Sequence, residues 1–229
     1  MSSMIKNLLA LIISIVAVHL LYIGYIRPDA TLILKEAKEA GLSAPRNIVV
    51  ILKDYEQEIC LILMCWGAFL IVSKCIEIMK YKYLFNVDLI EDSVNDSSEL
   101  SSVLKALNNL SFKIKDTPLV RTLMSSIRRY LITKNVQDTS DAIESSVEIL
   151  ALSQEAQNSM IRYLIWAIPS IGFIGTVRGI GQALSQADQA LEGDIAGMTD
   201  SLGVAFNSTF VALLISIGLM FLLHQLQRL

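Results

Sequence analysis

The sequence predicts an all-α, polytopic membrane protein with four transmembrane helices and a helical cytoplasmic domain between spans two and three. Three observations carry this. Hydrophobic residues make up 53% of the 229, a little above the roughly 45–50% of soluble domains, and mean hydropathy is +0.53. The excess is gathered into blocks: residues 7–26 (NLLALIISIVAVHLLYIGYI) and 201–223 contain no Asp, Glu, Lys or Arg. Each reaches the ~20 residues that a helix needs to cross hydrocarbon. Two shorter blocks, 59–73 between Glu58 and Lys74 and 163–177 between Arg162 and Arg178, reach full length when flanking Lys and Arg side chains snorkel to the interface.

The first block is too long for a signal-peptide core, and no small-residue cleavage site follows it. It is therefore read as a helix that ends in an exit loop at "IRPDA". Orientation follows from the Lys and Arg residues. Lys80, Lys82, Lys105, Lys113, Lys115, Arg121, Arg128, Arg129 and Lys134 lie between the second and third spans, whereas the stretch 182–200 carries none. The middle segment and both termini are thus cytoplasmic. The expected division is 1–27 first span, 28–58 outer (periplasmic) helical loop, 59–79 second span, 80–160 cytoplasmic helical domain, 161–184 third span, 185–200 outer loop, and 201–229 fourth span with the start of a cytoplasmic tail. The net charge of −3 and the lack of a basic stripe exclude a phosphate-binding surface, so no nucleic-acid partner is expected.

Between spans, the outer loop reads as a short helix, 31–40, stopped by Gly41. A second helix starts at Ser43, Ala44 and Pro45 and meets no breaker until about Asn86, which would make it ~40 residues and ~60 Å long. The run "NVDLIEDSVNDSSELSS", with Asp88, Glu91, Asp92, Asp96 and Glu99, reads as a solvated acidic linker. Helices follow from Ser98 to about Asn109 and from Thr117-Pro118 to about Lys134. "QDTSDAIE" reads as a helix start capped by Thr139, Ser140 or Asp141, with an apolar stripe at Ile143, Val147 and Leu150. Nothing stops that helix before the third span, so the two form one rod bent at Pro169. Cys60, Cys65 and Cys75 match no zinc or CxxC spacing and read as small apolar residues.

Two stripes inside the spans carry the functional signal. In the third span Gly172, Gly175 and Gly179 share a face bordered by Thr176. In the fourth, Ala205, Thr209, Ala212 and Ser216 form a narrow face of small and hydroxyl residues, flanked by Asn207 and Ser208. Small residues let helix backbones approach closely in a membrane, and hydroxyls there often bond only their own helix. Two such faces in consecutive spans point further, to a path for a small polar species. That path ordinarily needs a titratable group near mid-depth, yet no Asp or Glu lies at the centre of any span, and His19 has no evident partner. The expectation is a wall around a carboxylate supplied by a partner helix, with the small residues making room for it. A transporter, a membrane enzyme or a structural scaffold remain the alternatives.

The stretches "WAIPSIGFIGTVRGIGQAL", "MTDSLGVAFNSTFVALLISIGLMFLL" and the preceding "LSQEAQNSMIRYL" resemble the MotA/TolQ/ExbB ion-channel family over residues 141–223. The resemblance implies a homopentamer around a dimer of single-span MotB/TolR/ExbD-like subunits, in the bacterial inner membrane, carrying H+ or Na+ on the partner's intramembrane aspartate. No other cofactor and no enzymatic activity are implied. It makes Thr176 and Thr209 the pore-facing hydroxyls and Pro169, Gly172 and Gly175 the residues that shape the helix around the partner. Four spans resemble the flagellar stator subunit more than TolQ or ExbB, and a tailed relative such as the membrane motor subunit of the Zorya anti-phage system also fits. Val204 stands where many TolQ-like and ExbB-like members have glutamate. Arg178 stands where the family is usually apolar, and either snorkels outward or pairs with Asp188, Glu192, Asp194 or Asp200.

Overall fold

The computed structural model describes residues 3–40, 45–82, 97–191, 193 and 195–228. Gly41, Ser43 and Ala44 at the expected loop turn, Asp88, Glu91, Asp92 and Asp96 of the acidic linker, and Glu192 and Asp194 lie outside the described residues. Among those described, the structure is all helical. Four helices are long and apolar enough to cross a membrane, and a helical region lies between the second and third of them. The chain forms two compact units, residues 1–74 with 160–229, and residues 75–159.

In the first unit, helix α1 (Ser3–Leu21) does not leave the membrane through a loop at "IRPDA". It continues through a widened π turn (Tyr22–Ile26) into α2 (Arg27–Glu39). Proline is the reason. Pro28 has no N–H to give and would crowd a carbonyl one turn back. The N–H of Arg27 reaches back five residues to the Tyr22 carbonyl instead, so the helix absorbs the proline as a π bulge.

The single long helix expected from Pro45 onward is also two. In α3 (Ile48–Leu52) the Asn47 side chain accepts from the Val49 N–H. Helix α4 (Tyr55–Lys82) then starts afresh, with the Asp54 carbonyl accepting from the Glu58 N–H at 3.2 Å. Glu56 and Glu58 fall in its first turn, where the helix dipole favours acids. That charge pattern makes a helix start that no Gly or Pro marks.

In the second unit, α5 (Ser97–Asn108), the short α6 (Phe112–Lys115) and α7 (Pro118–Thr133) pack around Leu107, Val120 and Ile127. Pro118 occupies the first turn of α7, where its missing N–H costs nothing. Lys134 closes α7 in the left-handed region at φ 53°. The chain then restarts earlier than expected. Asn135, not Thr139, Ser140 or Asp141, caps the next helix, its Oδ1 accepting from the Gln137 N–H at 2.9 Å. That helix, α8 (Val136–Ser185), runs for 50 residues with Pro169 inside it. Ile143 and Val147, the expected apolar stripe, remain exposed.

After α9 (Ala187–Leu191), α10 (Ala196–Gln227) returns antiparallel to the third span. On α8 the buried positions are Ile161, Leu164, Ile165, Ile168, Gly172, Gly175, Gly179 and Ala183. On α10 they include Ser201, Ala205, Ser208, Ala212, Ile215 and Leu219. Both sets follow the helical period, and they face each other. A methyl added at Gly172 would lie 2.5 Å from the Ala212 Cβ, and one at Gly179 would lie 2.6 Å from the Ala205 backbone nitrogen. The helix that these glycines admit is therefore α10 of the same chain. Outside this seam the spans expose Leu, Ile, Val and Phe, a surface suited to lipid and neighbouring helices.

Gly179→Ala and Gly181→Ala separate packing from helix propensity. Gly179 meets α10, whereas a methyl at Gly181 meets nothing within 4 Å. Thermal unfolding in detergent is expected to show Gly179→Ala destabilised by about 1–3 kcal/mol. Gly181→Ala is expected to be neutral or stabilised by up to about 1 kcal/mol. Equal effects would mean that the glycines set backbone entropy and not approach.

Candidate functional site

The seam brings the two threonines together. Thr176 on α8 and Thr209 on α10 are both half-buried, and their hydroxyls share a short hydrogen bond. The Thr176 hydroxyl also reaches the Ala205 carbonyl at 3.0 Å and the Gly172 carbonyl at 3.3 Å. Thr209 reaches the same Gly172 carbonyl at 3.3 Å. Thr176 sits beside the glycine face, so the close approach that Gly172 permits is what lets two short side chains meet across the seam.

The flanking residues have other occupations. Ser208 is buried against Gly175, donates to the Val204 carbonyl at 2.9 Å and accepts from Gln57 Nε2 at 3.3 Å. Ser216 donates to the Ile165 carbonyl at 2.9 Å. Asn207 is half-buried and joins none of these bonds. Ala205 and Ala212 are fully covered by α8. The structure therefore joins Thr176 with Thr209 and distributes the other candidate hydroxyls along the same seam. Pro169 is half-buried within α8, one helical turn from the Ile165 carbonyl that Ser216 holds.

A second polar group lies at the outer ends of the spans. Arg178 binds Glu56 through two parallel bonds, Nε to Oε1 at 2.7 Å and Nη2 to Oε2 at 2.8 Å, with Asp54 3.6 Å away. Its acid thus comes from the start of the second span and not from Asp188 or Asp200 in the loop that follows it. Glu56 also leans on the glycine face, its Cγ 3.1 Å from where a Gly175 Cβ would stand. Nor is His19 unpartnered: its Nδ1 lies 2.6 Å from Glu58 Oε1, and Arg27 donates to the other oxygen of that carboxylate. Arg27 in turn stacks over the Tyr55 ring at 4.4 Å, a cation–π contact.

Each of the two glutamates is thereby neutralised by a cation from another span, which is what burial of a carboxylate requires. Asp54, just outside the span, is held above its ordinary carboxylate range by burial, against the opposing pull of Lys53 and Arg178. The pattern was readable in principle. Glu56, Glu58 and Arg178 lie at the same membrane face once the topology is drawn, but a search confined to the adjacent loop misses them.

Residues 114–229, just over half of the chain, match the MotA/TolQ/ExbB proton channel family. The chain belongs to that family. No curated protein and no solved structure matches it significantly. The match covers the third and fourth spans and the hydroxyl seam. The acids of α4, with His19 and Arg27, lie before it.

Family membership makes this a non-catalytic membrane protein of an ion-channel family. Among the described residues no group of three or more His, Cys, Asp or Glu is placed to hold a metal ion. The four spans and the Lys and Arg bias describe a multi-pass inner-membrane protein with both termini cytoplasmic.

Arg178 keeps about a third of its side chain exposed, against 11% for Glu56. Losing one partner is expected to cost about 2 kcal/mol, less than the roughly 3–5 of a fully buried pair. Glu56→Gln and Arg178→Gln should each lower thermal stability, and the double variant should lose clearly less than their sum. Strict additivity in that cycle would mean that the two charges do not support each other.

Proposed function

We propose that this chain is the wall subunit of an inner-membrane motor driven by ion-motive force. It forms a homopentamer around a dimer of single-span MotB/TolR/ExbD-like subunits. The observation that carries this is the Thr176–Thr209 pair, set in a seam whose spans contain no acid between Glu155 and Asp188 or after Asp200. The titratable group is the partner's intramembrane aspartate, and the transported ion is H+ or Na+.

Counting hydrogens gives the pair a chemical preference. Two hydroxyls hold two hydrogens. One is used within the pair, and the other goes to the Ala205 or Gly172 carbonyl. Both donors are then engaged, while the hydroxyl that only donates keeps free lone pairs. Such a site accepts from a protonated acid or a cation and offers no donor to a bare carboxylate. It therefore favours the neutral, loaded form of the partner's aspartate, which is also the form that an apolar wall tolerates.

Ions enter from the outside, neutralise the acid and leave to the cytoplasm. Each charge moved supplies ~2.3 kcal/mol per 100 mV. With five wall subunits around two carriers, alternate loading turns the pentamer stepwise, and the cytoplasmic helices pass on the torque. A flagellar-type stator and a Zorya-like defence motor use the same wall and differ in what those helices engage.

Ion flux in liposomes holding the chain with its single-span partner tests the site. Thr176→Val and Thr209→Val keep shape and remove the hydroxyl. Each is expected to lower flux by about tenfold, the weight of one buried hydrogen bond, and Thr→Ser at either position should keep most of it. Unchanged flux in both valine variants would overturn the role of the pair.

A further inference from the structure

The turn before Pro169 is held in an unusual way. Pro169 has no N–H, so the Ile165 carbonyl four residues earlier loses its helical donor. Ile165 is buried, and no water reaches a carbonyl in the hydrocarbon interior. The donor that replaces the missing one comes from α10, where the Ser216 hydroxyl lies 2.9 Å from the Ile165 oxygen. Serine in a membrane helix commonly bonds its own helix one turn back, as Ser170 does to Trp166 at 3.0 Å. Ser216 reaches across instead. Three residues after Ile165, the carbonyl of the fully buried Ile168 receives the Cys60 thiol at 3.7 Å. One turn of α8 is therefore gripped from two sides, by α10 through Ser216 and by α4 through Cys60.

The grip belongs to a ladder. Ile165 meets Ser216, Gly172 meets Ala212, Gly175 meets Ser208 and Gly179 meets Ala205, as antiparallel pairing of two helices demands. Pro169 interrupts α8 between the first of these rungs and the rest. At that point α8 lacks an internal bond, so the register of its two halves against α10 depends on the cross-bond. Thr176 stands about two turns beyond the proline, and Thr209 about two turns before Ser216.

We infer that Ser216 is a positioning residue: its hydroxyl clasps the carbonyl freed by Pro169 and so sets where α8 presents Thr176 to Thr209. The clasp is a property of the chain alone. Only its consequence for ion flow rests on the function proposed above. Ser216 is thus removed from the ion path and becomes the fastener of the wall.

Cys60 reports the clasp directly, because its buried thiol on α4 donates to the Ile168 carbonyl of the same turn of α8. In a Cys65→Ser, Cys75→Ser background within the full complex, Cys60 is the chain's remaining thiol, and its alkylation by N-ethylmaleimide is followed in membranes. Ser216→Ala is expected to speed alkylation by about tenfold, and Ser216→Thr, which keeps the hydroxyl, to restore the slow rate. Pro169→Ala gives Ile165 back a helical donor. The double variant Pro169→Ala/Ser216→Ala should therefore label as slowly as Pro169→Ala alone, and it stays informative if Ser216→Ala does not fold.

An unchanged rate in folded Ser216→Ala would overturn the clasp. So would a Ser216→Ala effect of equal size in the Pro169→Ala background, or failure of that double variant to fold while Pro169→Ala folds. Ion flux separates the two ideas: faster labelling with unchanged flux would leave the clasp standing and count against the threonine pathway.

Discussion

In hydrocarbon a carbonyl or hydroxyl without a partner costs several kcal/mol, and no water is present to supply one. The contact between α8 and α10 meets that constraint at Thr176, Thr209 and Ser216. Gly172, Gly175 and Gly179 bring the backbones within reach of short side chains, and Thr176, Thr209 and Ser216 then find acceptors on the opposite helix. Larger residues at the glycines would part the helices and strand those groups together. Packing and polar satisfaction are here one property, and the threonine pair is its product.

The charges at the outer ends obey the same rule at a shallower depth. Glu56 and Glu58 would be costly alone. Arg178, Arg27 and His19 arrive from the third and first spans to cover them. These bonds tie three spans together near the surface, while the glycine seam ties the third to the fourth within it. The charged group is therefore a structural tie that leaves the middle of the wall free of fixed charge. The carboxylate of the proposed partner would meet no competing acid there.

Much of this was legible in the sequence. Four apolar blocks specify four spans because the bilayer sets their length, and the glycine and small-residue faces follow from helical period alone. Thr176 and Thr209 border those faces, and the structure brings their hydroxyls into contact. The neighbour was not legible. Periodicity identifies a face but not what covers it, and the glycine face, which suggests clearance for a partner, is filled by α10. The π bulge before Pro28 and the new helix start at Tyr55 were missed because each depends on how a backbone group is satisfied in three dimensions. Arg178 was misassigned because its acid lies 122 positions away in sequence.

On the function proposed above, this chain conducts only around an acid that it does not itself carry. The most direct measurement compares ion flux through liposomes containing the chain alone, the chain with its single-span partner, and the chain with a partner whose intramembrane Asp is changed to Asn. Flux is expected in the second preparation and none above background in the first and third. Flux through the chain alone, or undiminished flux with the Asn partner, would contradict it.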